Sequence, residues 1–163
     1  NEPVQISAGP VGDLYEGASR PGHFAGVLTV VNRLFEIVKP STAVFGEKDF
    51  QQLWLIKNHF KKIEIAAVPT VREFDGLALS SRNARLTESD RATALIISKA
   101  LKEPSRMHEI LATQPAFKLD YAEIIDEKTF QLASATTQNK RAIIAGWVNG
   151  VRLLDNAVVE SNS

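Results

Sequence analysis

The chain contains no cysteine, which excludes disulfide bridges and thiolate catalysis. Its 19 basic and 19 acidic side chains are dispersed and give a formal net charge of zero, so no basic patch for nucleic acid or for an anionic membrane is present. No apolar run approaches the 18 residues of a transmembrane span. The histidines His59 and His108 have no second ligand at a suitable spacing, and no metal site is expected. These absences predict a soluble, cytoplasmic protein that binds neither nucleic acid nor membrane.

A polar loop follows the apolar, β-branched run at residues 63–68, which is typical of a buried parallel strand and is ended by Pro69. Ligands of open α/β sheets bind at the carboxyl ends of the strands. The loop offers two hydroxyls and a guanidinium at Ser80, Ser81 and Arg82, a set suited to phosphate. The alternative is an ordinary polar loop that caps the next helix, with Arg82 in an ion pair with Glu73 or Asp75.

A second strand, glycine turn and helix pattern occurs earlier in the chain. The short apolar run at residues 43–45 is followed by Gly46, and Lys48 lies where a helix is predicted to begin. A glycine permits close backbone approach, helix N–H groups attract an anion, and the lysine adds a mobile positive charge. The alternative for Lys48 is a solvated surface side chain.

These two segments, FGEKDFQQL and VPTVREFDGLALSSRN, resemble the pantoate–β-alanine ligase family of the nucleotidylyltransferase-like superfamily. Residues 16–24, 27–38 and 150–156 agree with the same family, so the resemblance extends over nearly the whole chain. Two long, nearly gapless motifs are more specific than a lone glycine pattern.

The resemblance implies the ATP-dependent condensation of pantoate with β-alanine to pantothenate, through a pantoyl-adenylate intermediate. It implies catalytic roles for Lys48, Ser80 and Arg82, and a pantoate contact for Gln52. Val71 would contact adenine through its backbone. The full set of implied ATP-binding residues is Gly46, Glu47, Lys48, Asp49, Val71, Leu79, Ser80, Ser81 and Arg82.

The His-x-Gly-His signature of this family has no match in the sequence, and His23 lacks the paired spacing. We therefore expect a carboxyl-terminal part of the enzyme with little or no activity by itself. Mg²⁺ would be held mainly by the ATP phosphates and by residues outside this chain. The family resemblance also implies a homodimer.

The expected fold class is α/β, the latter half of a doubly wound Rossmann-like domain followed by a small α+β domain with an antiparallel sheet. The boundary is predicted near residue 70, giving an ATP- and pantoate-binding domain at residues 1–70 and a lid domain at residues 71–163. Residues 1–26 are predicted as loop or as the broken edge of a domain, and the region 102–117 as a reduced helical segment. The remaining predicted elements are helices 27–38, 50–60 and 88–102 and strands 43–45, 63–68, 119–125, 141–148 and 151–154. The apolar residues of the first helix, Val30 and Leu34 among them, are predicted to form one buried face. Thr87 is predicted to cap the helix at residues 88–102, with Asp90 in its first turn, and Asn149-Gly150 predicts a type I′ turn between the last two strands.

Two other functions fit the same pattern. The first is a different adenylate-forming ligase of the same superfamily, with the phosphate-binding residues retained and another acid as substrate. The second is a carboxyl-terminal module that acts in dimerisation or as a lid without catalysis.

Overall fold

The structure is a computed structural model that describes residues 5–160. The chain divides between Pro69 and Thr70 into two compact units. The first unit contains a two-stranded parallel sheet and the second a three-stranded antiparallel sheet, which confirms the predicted α/β class. Within residues 5–160, no helix combines the length and the apolar character needed to cross a membrane.

The first unit is built around a βαβ crossover. Its strands pair in parallel, with Thr42 opposite Glu64 and Gly46 opposite Val68. The connecting helix buries Leu53 and Ile56, which are 2% and 0% exposed. The predicted strand, helix and strand are thus confirmed to within one or two residues. In chain order the unit contains α1 (Glu16–Ser19), α2 (His23–Val38), β1 (Thr42–Gly46), α3 (Phe50–His59) and β2 (Glu64–Val68), with 3-10 turns at Pro10–Asp13 and Glu47–Asp49.

The prediction of loop throughout residues 1–26 is wrong over α1 and over the first turn of α2; residues 1–4 lie outside the described range. α2 begins four residues earlier than predicted, after Gly22 in a left-handed conformation with φ of 77°. The N-terminal side of this helix has no Ser, Thr, Asp or Asn cap in the sequence, so no local signal marks its start. α1 is a single turn, too short to give a periodicity.

The buried face of α2 also differs from the prediction. Phe24, Leu28 and Val31 face the core, whereas Val30 and Leu34, predicted as buried, are 60% and 51% exposed. Apolar side chains cover more than half of the circumference of this helix. The helical period therefore identified a helix, but it could not decide which apolar face is covered by the rest of the unit.

The second unit begins with a hairpin and a capped helix, and its core lies between α4 and one face of the sheet. The capping box of α4 is complete, because Thr87 Oγ1 accepts from the Asp90 N–H and Asp90 Oδ2 accepts from the Thr87 N–H, both at 3.1 Å. Hydrogen bonds from Thr87 lower the pKa of the Asp90 carboxyl. The elements are a 3-10 helix at Ser81–Arg85, α4 (Glu88–Lys102), a 3-10 turn at Pro104–Arg106, α5 (Met107–Ala112), β3 (Phe117–Asp126), β4 (Lys140–Val148) and β5 (Val151–Val159).

The antiparallel sheet has the order β3-β4-β5, and a two-residue turn joins its last two strands. Asn149 and Gly150 have φ of 47° and 76°, as the predicted type I′ turn requires, and Val148 pairs with Val151. β5 extends beyond the predicted residues 151–154. At Gly146 a Cβ would collide with the Phe117 ring and the Lys118 carbonyl oxygen, so the sheet requires a glycine there.

The predicted reduced segment between α4 and β3 contains the six-residue helix α5. Met107 and Leu111 of this helix are buried in the core of the second unit. His108 lies on α5 and is exposed. Most residues around His108 are polar, and the buried residues of α5 are Met107 and Leu111. This apolar pattern is too short to predict a helix from the sequence.

Candidate functional site

The turn after β1 is open at its glycine. Gly46 ends the strand with φ of −77° and ψ of 141°, a conformation available to any residue. A Cβ placed on Gly46 would meet no atom within 4 Å. Neither the backbone conformation nor the packing of this unit thus requires a glycine at this position. Because glycine has no side chain, the backbone at Gly46 is accessible to a ligand.

The charged residues after Gly46 form a 3-10 turn, Glu47–Asp49, that leads into α3. The Lys48 side chain is only 17% exposed, and its Nζ lies 3.9 Å from Oδ1 of Asp49, whose side chain is 53% exposed. The alternative of a solvated surface lysine is therefore wrong. The Lys48 side chain is thus largely covered where it follows the carboxyl end of a parallel strand.

Gln51 is a residue that the sequence analysis missed. Its side chain accepts from the Glu16 N–H at 3.1 Å and donates through Nε2 to the carbonyl oxygens of Val11 and Leu14 at 2.7 and 2.8 Å. It thereby fixes the segment before α1 against the start of α3. The next residue, Gln52, is half-buried on α3. No sequence signal distinguishes the two adjacent glutamines, because only the fold decides which one meets the preceding loop.

The loop after β2 begins as a small hairpin. The Leu79 N–H donates to the Val71 carbonyl at 2.9 Å, and the Glu73 N–H donates to the Leu77 carbonyl at 2.8 Å. Gly76, with φ of 94°, makes the turn. Val71 and Leu79 lie side by side and are 61% and 54% exposed, so their side chains form a small apolar surface.

The hydroxyl and guanidinium residues follow directly. Ser80 Oγ accepts from the Arg82 N–H at 3.2 Å and caps the 3-10 helix Ser81–Arg85, so the capping alternative is realised for this serine. A hydroxyl that accepts a hydrogen bond still has its proton to donate. Ser81 is exposed and Arg82 half-exposed, and no described residue forms an ion pair with the Arg82 guanidinium.

An arginine on α4 holds this loop. Arg91 donates from Nε to Asp75 Oδ2 and from its terminal nitrogen to Glu73 Oε2, both at 2.6 Å. The interpretation of Arg82 as the ion-pair partner of Glu73 or Asp75 is thus wrong, because Arg91 takes both carboxylates. Hydrogen bonds from Asn83 and Arg91 lower the pKa of Glu73, and the hydrogen bond from Arg91 lowers the pKa of Asp75.

A second arginine connects the hairpin to the sheet. Arg72 donates to both carboxylate oxygens of Asp155 on β5, at 2.6 and 3.1 Å, and to the Gly76 carbonyl at 3.1 Å. The Asp155 side chain is 3% exposed. No sequence pattern predicts this pair, because its members are separated by 83 residues.

Comparison with known proteins assigns the family. The model of a family described as pantoate-beta-alanine ligase matches residues 2–158. The chain belongs to the pantoate–β-alanine ligase family. The pantothenate synthetase of Saccharopolyspora erythraea is 44% identical, over 96% of this chain and 56% of that protein. That of Rubrobacter xylanophilus is 40% identical, over 97% of this chain and 61% of that protein. The resemblance inferred from the motifs is thus confirmed.

Solved structures of the same family agree in fold. Pantothenate synthetase from Thermus thermophilus superposes with a TM-score of 0.89 at 41% identity, covering 94% of this chain and 62% of that one. The pantoate-beta-alanine ligase of Francisella tularensis, solved in complex with beta-gamma ATP and β-alanine, gives 0.69 at 34% identity, covering 91% and 55%. The chain thus spans somewhat more than half the length of the relatives that it matches.

The two polar loops of this family member lie in different units, with Lys48 in the first and Arg82 in the second. In the first unit Gly46 and the turn Glu47–Asp49 precede α3, which contains Gln52. In the second unit Val71 pairs with Leu79 across the hairpin, and Ser80 and the 3-10 helix Ser81–Arg85 follow directly. That the two loops meet at one nucleotide stays a prediction, as do the individual residue roles. Among residues 5–160, no three His, Asp or Glu side chains form a group that could hold a metal ion.

Proposed function

We propose that this chain contributes to the ATP-dependent condensation of pantoate with β-alanine, as a part of a pantoate–β-alanine ligase. The observation that carries the proposal is the family match over residues 2–158. The two polar turns at the carboxyl ends of parallel strands support it, because such turns bind phosphate in α/β folds.

The reaction would proceed in two steps. An oxygen of the pantoate carboxylate attacks the α-phosphorus of ATP, the bond to the β-phosphate oxygen breaks, and pyrophosphate leaves. The amine of β-alanine then attacks the acyl carbon of pantoyl adenylate, the bond to AMP breaks, and the amine loses a proton to solvent. Charge accumulates on phosphate oxygens in the first step, so positioning and cationic stabilisation are the main tasks of the protein.

The first loop would bind the phosphates and pantoate. Gly46 leaves room for the nucleotide, and the Lys48 ammonium would stabilise the charge that moves toward pyrophosphate. Glu47 and Asp49 would orient the nucleoside. Gln52 would donate a hydrogen bond to pantoate from the first turns of α3.

The second loop would bind adenine and the phosphates. Val71 and Leu79 are exposed side by side, and an adenine ring on them would lie against the Val71 backbone. Ser80 and Ser81 would donate from their hydroxyls to phosphate oxygens. Arg82 has no ion-pair partner among the described residues, so its guanidinium is available for a bidentate phosphate contact.

Three further parts of the proposal concern the assembly. Mg²⁺ would enter with ATP, since the described residues do not form a metal site of their own. We propose that the chain by itself has little synthetase activity, because it covers 56% of a curated relative. A homodimer and a cytoplasmic location are proposed from the family.

The test is binding of β,γ-methylene ATP to this chain, measured by calorimetry. Lys48→Ala should weaken binding by about 10- to 100-fold, the range expected when a charge-assisted phosphate contact is lost. Lys57→Ala is the matched control, because Lys57 lies on α3 and is exposed; it should leave affinity unchanged.

Binding that is insensitive to Lys48→Ala would contradict the role of the first loop. Absence of binding to the unaltered chain would favour a dimerisation or lid module. Pyrophosphate release with pantoate, compared with other small acids, separates this ligase from another adenylate-forming enzyme. Turnover near that of a complete enzyme would contradict the proposal that the chain has little activity.

A further inference from the structure

Arg91 lies outside both family motifs that carry the proposed site, yet it is bound to the loop that contains Ser80, Ser81 and Arg82. We propose that Arg91 is a positioning residue for this loop, which it holds through Glu73 and Asp75. The inference rests on the proposed function, because the loop is taken to bind the nucleotide. Arg91 itself would touch neither ATP nor pantoate.

The position of Arg91 is itself well fixed. It lies in the first turn of α4, and its N–H donates to the Thr87 carbonyl at 2.8 Å. The same threonine closes the capping box with Asp90, which anchors the start of this helix. A planar guanidinium can engage two separate carboxylates at once, whereas an ammonium group lacks the fixed fork.

A chain of hydrogen bonds leads from Arg91 to the nucleotide loop. Glu73 accepts from Arg91 through Oε2 and from Asn83 Nδ2 through Oε1, at 2.6 Å in both cases. Asn83, which is 7% exposed, also donates through Nδ2 to the Ala78 carbonyl at 3.0 Å. Its own N–H donates to the Ser80 carbonyl at 3.0 Å. The backbone is therefore held at Ala78, two residues before Ser80, and at Asn83, directly after Arg82.

The orientation of the Asn83 amide is determined by its partners. Both groups that Nδ2 contacts are acceptors, so a flipped amide would place two oxygens against each other. The carboxylate form of Glu73 is required for the same reason, since it accepts from two donors. Glu73 and Asp75 thus serve as the link between a helix and a loop.

This arrangement would lower the entropic cost of nucleotide binding. Ser81 and Arg82 have no described side-chain partner that orders them, so the loop is ordered through its backbone. If the Arg91 link is removed, binding must supply the ordering of the loop. We expect Arg91→Gln to weaken β,γ-methylene ATP binding about tenfold, the effect of ordering roughly one additional residue.

The experiment uses the full chain and calorimetry with β,γ-methylene ATP. Arg91→Gln is measured alone and in the background Glu73→Gln/Asp75→Asn. Since Arg91 acts through these two carboxylates, its substitution in that background should change affinity by less than about twofold. The matched control is Arg106→Gln, because Arg106 also pairs with two carboxylates, Glu103 and Glu109, but lies outside the loop; its affinity should equal that of the parent.

Hydrogen exchange of the nucleotide-free chain gives a second readout. Arg91→Gln should accelerate exchange of the Asn83 and Leu86 amides, while the strand amides of β4 remain protected. Arg91→Lys, which keeps the charge but not the fork, should give an intermediate affinity. A merely structural role would change the unfolding midpoint without this local pattern.

Each result decides between the two proposals. A further tenfold loss from Arg91→Gln in the double-carboxylate background would mean that Arg91 contacts the nucleotide directly, and would overturn the inference. Unchanged affinity in Arg91→Gln, while Arg82→Ala still abolishes binding, would also overturn it and would leave the proposed function intact. No binding to the unaltered chain would overturn both.

Discussion

The pair formed by Arg72 and Asp155 gives the strongest prediction about stability. Arg72 donates to both carboxylate oxygens, and the Asp155 side chain is 3% exposed, whereas that of Arg72 is 34% exposed. Among residues 5–160, Arg72→Met would leave the buried carboxylate with the Asn156 N–H as its only donor, at 2.8 Å from Oδ1. Removing one partner of a buried pair costs about 3–5 kcal/mol, and the partial exposure of Arg72 places the expected loss near ~3 kcal/mol.

The assay is urea unfolding of the second unit. A Trp54→Phe background leaves Trp147 on β4 as the sole tryptophan, so its fluorescence reports this unit alone. A loss of ~3 kcal/mol corresponds to a fall in Tm of about 10–20 °C for a domain of this size. Arg106→Met is the control, because its ion pairs are exposed and should contribute less than about 1 kcal/mol.

The double variant Arg72→Met/Asp155→Leu distinguishes the net contribution of the ion pair to stability from the cost of leaving one buried charge unpaired. With both charges replaced by apolar groups, the unit should recover to within about 1 kcal/mol of the parent. A change below about 0.5 kcal/mol in Arg72→Met alone would refute the reasoning, since it would mean that water or another donor satisfies the buried carboxylate.

Two further predictions concern the loops. Gly46→Ala should leave the free energy of unfolding unchanged or raise it by up to about 1 kcal/mol, because alanine can adopt the backbone conformation of Gly46. Calorimetry should show that the same variant binds β,γ-methylene ATP more weakly. Equal affinity would contradict a close approach of the nucleotide to Gly46. The pKa values of Glu73 and Asp75 are lowered from their ordinary values of 4.5 and 3.8. The two carboxylates therefore contribute fully to stability above their ordinary pKa values, and this contribution is lost as the pH falls through their lowered pKa values. The urea midpoint of the second unit should therefore fall below about pH 4.5 more steeply in the parent than in Arg91→Gln, and equal slopes would contradict this.

Local signals in the sequence were sufficient for several of the regular elements. The Thr87 cap with Asp90 predicted the start of α4, and the Asn149–Gly150 dipeptide predicted the turn between β4 and β5. Both are short-range effects, in which neighbouring residues satisfy each other's hydrogen bonds or tolerate a positive φ. The apolar runs on either side of α3 likewise predicted the parallel βαβ unit.

The contacts between distant segments could not be predicted. Nothing local indicates that Arg91 pairs with Glu73 and Asp75, while Arg82 remains without an ion pair among the described residues. The same applies to Gln51, whose partners precede it by 35 to 40 residues. A side chain's partner depends on which segments the fold brings together, and a single sequence does not contain that distance information.

The sequence by itself determined the family, the order of the longer helices and strands and the two polar turns, because these follow from motifs and from hydrogen bonding between near neighbours. Only the tertiary structure decided which face of α2 is covered, which glutamine anchors the segment before α1, and which arginine holds the loop at residues 80–82. Each of these depends on packing between segments far apart in the chain. Several side chains could make each contact as judged from the local sequence, and the tertiary arrangement decides which of them does.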